Sequence, residues 1–397
     1  MKNVLIRAPL LTNSGYGVHS RQIFEWLLTK KDFNVHVQAL QWGATPWIVN
    51  PNTEDGIFGE IMKRASNIQG KKFDLTFQVQ LPDEWDASLG KFNVGVTALV
   101  ETDKCNPAWF NKMMSMDQII VPSEFTRNVI RNTFGSAFDN KLHVIAEWFN
   151  TDLLLKDNEL KRTKDKRFKF DTKFNLLTIG TLTSADSDSD RKNLVNTIRW
   201  AIEALDGIED SGIVIKTCLG RGSVKDREMT KSAIAQIVKA FRKSEFPKIH
   251  LIHGNMTKKE VASLYKVGSI KGYISATRGE GYGLPLIEAA ASGVPVIATN
   301  WSGHLDFLND KFLKVEYDLK PIVEKRIDER IFVKGAQWAE PKQVSFISAI
   351  KSLRQDYKVH EETARRLKKD VKRLFSKEKI CKKYDKFLLG CAKQWEQ

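Results

Sequence analysis

The chain has 397 residues, 42% hydrophobic and 28% charged, with a formal net charge of +15, a length that accommodates two domains of ordinary size. No run of about 18 apolar residues occurs, which excludes a spanning helix, and Arg7 interrupts the first apolar stretch, which argues against a signal peptide. The four cysteines (Cys105, Cys218, Cys381, Cys391) lack C-x-x-C spacing, so a disulfide scaffold and a zinc site are excluded and a reducing cytoplasm is the expected compartment, while the basic balance favours anionic partners: nucleotide donors, acidic lipid head groups or nucleic acid.

Residues 4–8 read as the first strand, 10–17 as a glycine-containing loop, 18–28 as an amphipathic helix and 34–40 as the second strand. Gly15-x-Gly17-x-x-Ser20 imitates a dinucleotide fingerprint. Such a site needs an acidic residue closing strand two to hold the ribose. That strand ends Ala39-Leu40-Gln41, so a nicotinamide dinucleotide is rejected. Residues 73–78, 93–100, 118–123 and 143–147 read as further strands, and Ser123 as the cap of a helix running from Glu124 toward Asn132.

The charged, aperiodic stretch 151–170 reads as an interdomain linker. A second α/β unit opens with a strand at 174–180. It continues with strands at 213–218, 249–253, 272–275 and 294–298, and helices at 193–205, 229–242 and 258–267. This alternation predicts a doubly wound parallel sheet in each half, with ligands beyond the carboxyl ends of the strands. Asp186-x-Asp188-x-Asp190 imitates a metal-binding D-x-D and the start of a calcium loop. A calcium loop needs Gly at its sixth place and Glu at its twelfth. Those places hold Arg191 and Thr197, so the segment reads as a flexible acidic loop. The basic runs at 156–173 and 365–383 read as solvated faces, and 362–395 as basic helix.

The most informative stretch is Thr277-Arg-Gly-Glu-Gly-Tyr-Gly-Leu-Pro-Leu-Ile-Glu-Ala-Ala-Ala-Ser-Gly-Val-Pro-Val-Ile-Ala298. A glycine loop leads into a helix with Pro285 in its first turn, and Gly293 ends that helix. Gly281 and Gly283 allow close backbone approach, and the positive end of the helix dipole suits a phosphate. Glu280 and Glu288 bracket the loop, with Glu288 expected in the first helical turn. Carboxylates accept paired sugar hydroxyls. Amides for phosphate between two such carboxylates are shaped for a nucleoside diphosphate sugar.

From 275 through Gly303 this string resembles the E-x7-E signature of the retaining GT-B glycosyltransferases of family 4. The resemblance implies that Glu280 contacts the donor sugar and Glu288 the ribose, with Gly281, Tyr282, Gly283 and Leu284 lining the donor. Arg191-Lys192-Asn193 resembles the family's basic step that neutralises the donor diphosphate; Thr181 stands where the family often has arginine. The first loop resembles the family's donor-facing glycine loop, which makes Gly15 and Gly17 candidates for close approach. The stretch from Glu101-Thr-Asp103 to Arg127 resembles the acceptor-binding domain. It lacks the histidine many members carry there, leaving Glu101 and Asp103 as candidates near the reacting centre and His19 as a satisfied helix histidine. After the signature, Gly303 and Asp306 loosely match the family's Gly-Gly-x-x-Glu, with His304 unplaced.

The resemblance implies an α/β GT-B architecture. Its acceptor-binding Rossmann-like domain spans 1–165 and its donor-binding domain 166–375. A C-terminal helix at 376–397 crosses back to the first domain, and a cleft separates the two. It implies a sugar moved from a nucleotide-diphosphate sugar, UDP-sugar foremost, to an acceptor hydroxyl with retained configuration, no cofactor and no essential metal. The acceptor is a polysaccharide, a lipid or lipid-linked glycan, or another biosynthetic acceptor, with peripheral membrane contact open. The alternatives are a DNA-modifying glycosyltransferase acting on hydroxymethylated bases and a non-catalytic nucleotide-sugar-binding protein. A sugar phosphorylase shares the fold, but no pyridoxal lysine motif occurs.

Overall fold

The computed structural model describes every residue except 44, 66, 157–158, 161–165, 182–185, 219–221 and 396–397, and for 392–395 the backbone alone. The middle of the expected linker, the start of the loop after Thr181 and the last two residues of the expected C-terminal helix lie outside the described residues.

The chain forms two compact units. The first comprises Met1–Trp148, Glu329–Val333 and the chain from Phe375 on; the second comprises Phe149–Asp328 and Lys334–Leu374. The first contains β1 (Lys2–Ala8), α1 (Gly15–Leu27), β2 (Phe33–Ala39), α2 (Ile57–Arg64), β3 (Phe73–Val79), β4 (Gly90–Val96), α3 (Phe110–Met114), β5 (Gln118–Val121), α4 (Glu124–Phe134) and β6 (Leu142–Val144). Its six strands are parallel in the order β2-β1-β3-β4-β5-β6. A parallel sheet buries both faces, so β1, inside the sheet, has a continuous apolar centre, whereas β2 at the edge alternates, with Val35 and Val37 between Asn34, His36 and Gln38. Val4, Leu5 and Ile6 of β1 are fully buried, as are Ile23, Phe24, Trp26 and Leu27 of α1. Ser123 caps α4 by accepting from the Thr126 amide at 3.2 Å.

The second unit contains β7 (Phe174–Ile179), α5 (Leu194–Leu205), β8 (Ser211–Thr217), α6 (Val224–Phe241), β9 (Lys248–His253), α7 (Lys258–Tyr265), β10 (Ile270–Ser275), α8 (Leu284–Ser292), β11 (Val296–Thr299), α9 (Leu305–Leu308) and β12 (Leu313–Val315). An antiparallel ribbon follows, β13 (Tyr317–Pro321) with β14 (Gln337–Pro341), then α10 (Gln343–Gln355) and α11 (Tyr357–Leu374). The parallel order is β12-β11-β10-β7-β8-β9. The chain thus runs outward from β7 to one edge of the sheet, then returns to β10 and runs to the other, which is doubly wound. Its topological switch point lies between β7 and β10, where such folds bind ligands. The core centres on Leu176, Ile198, Ile213, Ile215, Ile274 and Ile297.

The α/β reading with parallel sheets holds in both units. Three expectations change. Residues 15–17 form the first turn of α1 rather than a loop, because Ser14 caps the helix by accepting from the Gly17 amide at 3.0 Å. The expected helix at 362–395 is two helices, α11 and α12 (Lys377–Trp395), and Ser376 starts the second by accepting from the Lys379 amide. The ribbon was not anticipated. Within the first unit α12 packs on α1: Trp26 donates to Asp385 at 2.8 Å, and His19 meets the Tyr384 hydroxyl at 3.2 Å.

Candidate functional site

At the carboxyl ends of β7 and β10 the second unit gathers Thr178, Gly180, Lys192, Ser275, Glu280 and Pro285 around one small pocket. Two loops build it. The first joins β7 to α5 and presents Arg191 and Lys192. Asp190, fully buried, accepts from the Lys192 amide at 3.2 Å and the Leu194 amide at 2.8 Å. Asn193 follows in the left-handed region (φ 51°), which asparagine tolerates. Its side-chain amide donates to the Ala276 carbonyl at 2.9 Å, which fixes this loop to the end of β10.

The second loop joins β10 to α8 and presents Glu280. Lys192 Nζ donates to both carboxylate oxygens of Glu280 at 2.7 Å. Arg191 Nη1 lies 3.8 Å from the same carboxylate and donates to the Gly279 carbonyl at 2.7 Å. Thr277 Oγ1 adds a third donor at 3.0 Å. Burial alone would raise the Glu280 carboxyl; Lys192 and Arg191 outweigh it and hold the group below its ordinary value. The Glu280 amide donates to Ser302 Oγ at 2.9 Å, and Ser302 lies 3.4 Å from His304 Nδ1. His304 Nε2 sits 2.7 Å from the Thr299 carbonyl, which accepts only. That contact assigns the proton to Nε2 and leaves Nδ1 to accept from Ser302. His304, fully buried and pushed down by desolvation, is thus a neutral support behind the loop. Reading 299–304 for polar residues that can only bond inward would have placed it.

The helix that follows starts without a side-chain cap. Gly283 occupies the cap position with φ 100°, a conformation open to glycine. Leu286 and Ile287 donate their amides to the Gly283 carbonyl at 3.0 and 3.1 Å, so it is the positive end of the helix dipole that the start of α8, with Pro285 and Leu286 on the pocket wall, presents there. Leu284 opens the helix, and Pro285 sits in the first turn as expected. Tyr282 turns inward, its ring 5.2 Å from that of Phe307. Glu288 needs correction: it is the fifth residue of α8, not part of its first turn, because the helix begins only at Leu284. Burial pushes its carboxyl up to about 8, partly opposed by Lys258 and Lys216.

Asp186 is engaged by Lys325 and by Ser189 Oγ at 2.7 Å, and Lys325 pulls its carboxyl down to about 2. Among the described residues no group of three or more His, Cys, Asp or Glu side chains is placed to hold a metal. A larger cavity, about 550 Å³, lies elsewhere in this unit against β11, β12, α10 and α11 and contains none of these residues.

In the first unit, Tyr16 stands between Gly15 and Gly17 and its hydroxyl meets Thr97 Oγ1 and the Ala98 amide, each at 3.0 Å. Trp42 stacks on its ring at 4.0 Å. Glu101 is near enough to perturb the Tyr16 phenol, whose burial is the main influence on it. The first turn of α1 and the segment after β4 thus meet at the carboxyl end of this sheet. Gly17 is needed where the first turn of α1 meets Thr12, since a Cβ there would lie 2.2 Å from the Thr12 carbonyl oxygen. The Asp103 carbonyl accepts from Asn132 at 3.0 Å. Desolvation pushes His19 down to about 4, a buried neutral histidine.

Residues 265–383 match the model described as Family 4 Glycosyltransferase in conflict systems. No curated protein matches the sequence. Solved structures resemble the whole chain. Sucrose-phosphate synthase from Thermosynechococcus elongatus is 12% identical, with a TM-score of 0.63 over 98% of each chain. Anabaena Alr3699/HepE in complex with UDP and glucose is 11% identical, with a TM-score of 0.65 over 98% of this chain and 100% of that one. A glycosyltransferase from Rickettsia africae is 14% identical, with a TM-score of 0.62 over 97% of each. Such identities speak for the fold. They show a GT-B fold, and residues 265–383 carry the likeness to family 4 glycosyltransferases.

Proposed function

We propose that the second unit binds a UDP-sugar at the mouth of β7 and β10, and that the protein transfers the sugar, with retained configuration, to the hydroxyl of a glycan or lipid-linked glycan. One observation carries the reading: Lys192 and Arg191 converge on Glu280 beside the uncapped start of α8. Two cations and the positive end of a helix are what a departing diphosphate needs, since charge develops on it as its bond to the sugar breaks. Glu280, bound to Lys192 and Thr277, keeps lone-pair capacity for a sugar hydroxyl. Glu288, further along α8, supplies a carboxyl group for the ribose hydroxyls. The sugar carbon exchanges its diphosphate oxygen for the acceptor oxygen, and the acceptor proton leaves with the diphosphate. No strong side-chain base is then required. The complexes of Anabaena HepE with UDP-glucose and with UDP support the choice of donor base.

Melting curves with UDP-, GDP- and ADP-sugars test the donor, because a ligand bound only by the folded state raises the melting point. UDP-sugars are expected to give the largest rise. Lys192→Ala is expected to lower turnover by about 10²–10³-fold, the scale of losing one donor to developing charge. Proton NMR of the product reports the anomer. An inverted product, or a Lys192→Ala enzyme as fast as the parent, would sink the reading. Donor binding without transfer or hydrolysis would leave a nucleotide-sugar-binding protein.

A further inference from the structure

Arg278 lies two residues before Glu280, yet its side chain is only 1% exposed and is bonded away from the pocket residues. Its guanidinium makes a fork on Glu340 of β14, Nε to Oε2 at 2.7 Å and Nη2 to Oε1 at 3.0 Å. The remaining arm, Nη1, donates to the carbonyls of Ser187 at 2.6 Å and Asp190 at 2.7 Å. The main chain adds two bonds: Arg278 N donates to the Arg191 carbonyl at 2.9 Å, and Ala339 N donates to the Arg278 carbonyl at 3.1 Å. Trp338 places its ring 5.5 Å from the guanidinium carbon. One residue therefore joins the loop that carries Glu280, the loop that carries Arg191 and Lys192, and the ribbon.

A buried guanidinium is retained only with a paired carboxylate and its other donors satisfied. Lysine cannot replace it, because three carbonyl and carboxylate directions at once require the planar fork. Lys192 reaches Glu280 from a loop with no regular structure of its own, so the precision of that contact has to come from outside the loop. Arg278 supplies it by gripping the peptide carbonyls on either side of Ser189.

We propose that Arg278, locked by Glu340, is a positioning residue that holds Arg191 and Lys192 in register with Glu280 for the leaving diphosphate. The proposal rests on the donor reading above. It also gives the ribbon a role, because β14 carries the carboxylate that orients the clasp. Arg278 itself touches no substrate.

Full-length Arg278→Lys and Glu340→Gln test it, the second being the milder change since glutamine keeps the shape of the side chain and one acceptor. Hydrogen exchange of the 186–193 peptide is read first, because the Lys192 and Asn193 amides are bonded to Asp190 within that loop. Exchange there is expected to rise about tenfold or more in both variants while peptides of β7 and β8 stay protected, as local opening predicts. Turnover of UDP-sugar is expected to fall about 10–100-fold in kcat, with a smaller change in KM, the scale of a misplacement near 1 Å. Unchanged exchange at 186–193 in both variants overturns the proposal. So does a rise spread evenly over the unit with a matching loss of melting temperature, since that is a purely structural role. If the parent protein turns over no UDP-sugar, the donor reading fails, yet the exchange result still decides whether the clasp orders the loop.

Discussion

At the scale of single residues, the two carboxylates of the signature carry opposite electrostatics. Glu280 is buried but surrounded by Lys192, Arg191 and Thr277, so its charge is stabilised and its pKa falls. Glu288 is desolvated, and Lys258 and Lys216 offset that only in part, so its pKa rises to about 8. The sign of its effect on stability follows. In the unfolded chain the group ionises near its ordinary value of about 4.3, whereas in the folded chain it keeps its proton up to about 8. Across that window the folded state binds the extra proton, so folding stability is lost as pH rises from about 4 to 8. Glu288→Gln removes the loss. We expect the variant to gain melting temperature over the parent at pH 9 but not at pH 5, while losing UDP-dependent stabilisation. Thermal melts at the two pH values check this; an equal shift at both would remove Glu288 as the source. That Glu288 falls on α8 was legible in the sequence, though not its place past the first turn. The ionisation of its carboxyl was not, because Lys216 and Lys258 arrive from β8 and α7. Arg278 and Glu340 were illegible for a like reason: they lie 62 residues apart, on segments with no shared pattern.

At the scale of elements, α8 is the piece on which the candidate site depends. Pro285 and Gly293 marked its ends correctly, and Gly293 closes it with φ 84°. The uncapped start rests on Gly283 at φ 100°, where a Cβ would also come within 3.2 Å of Leu286 Cδ1 and 3.3 Å of His304 Cβ. Gly283→Ala is expected to cost about 1–3 kcal/mol from forcing a side chain into that conformation. The same change moves the Gly283 carbonyl that accepts from Leu286 and Ile287, and with it the start of α8, so the stabilisation by UDP is expected to shrink as well. Denaturant melts with and without UDP separate the two effects. A variant as stable as the parent, with full response to UDP, would show that the start of α8 has no part in binding. Long apolar strands and capped helices were readable because their signals are local. The short strands β12, β13 and β14 were not, since three to five residues carry too little periodicity to register. The break between α11 and α12 contains neither Gly nor Pro. Its only local mark is Ser376 acting as a cap.

At the scale of the whole molecule, the question is what a net charge of +15 does. Among the described residues, no helix is long and apolar enough to cross a membrane. The charge of the basic C-terminal run is partly neutralised within the protein. Arg365 pairs with Glu361, Arg366 with Glu362 and Lys382 with Glu378, each four residues apart along its own helix. Lys311 reaches across from outside α11 to Asp370. Both helices stay net basic even so, α11 with seven Lys and Arg against three acids and α12 with six against two, and exposed pairs of this kind contribute little energy. We therefore expect duplex DNA to bind through phosphate neutralisation alone. Its affinity should fall by about 10³-fold or more between roughly 50 and 200 mM salt, as released counterions dictate. On the proposed reading, donor turnover rests on the partly buried contact between Lys192 and Glu280 and should change less over the same range, because partly buried pairs are screened less than exposed ones. Filter binding and turnover measured along one salt series compare the two directly. Retention of a tight duplex complex at the upper salt, strengthened by hydroxymethylated bases, would instead make nucleic acid the acceptor.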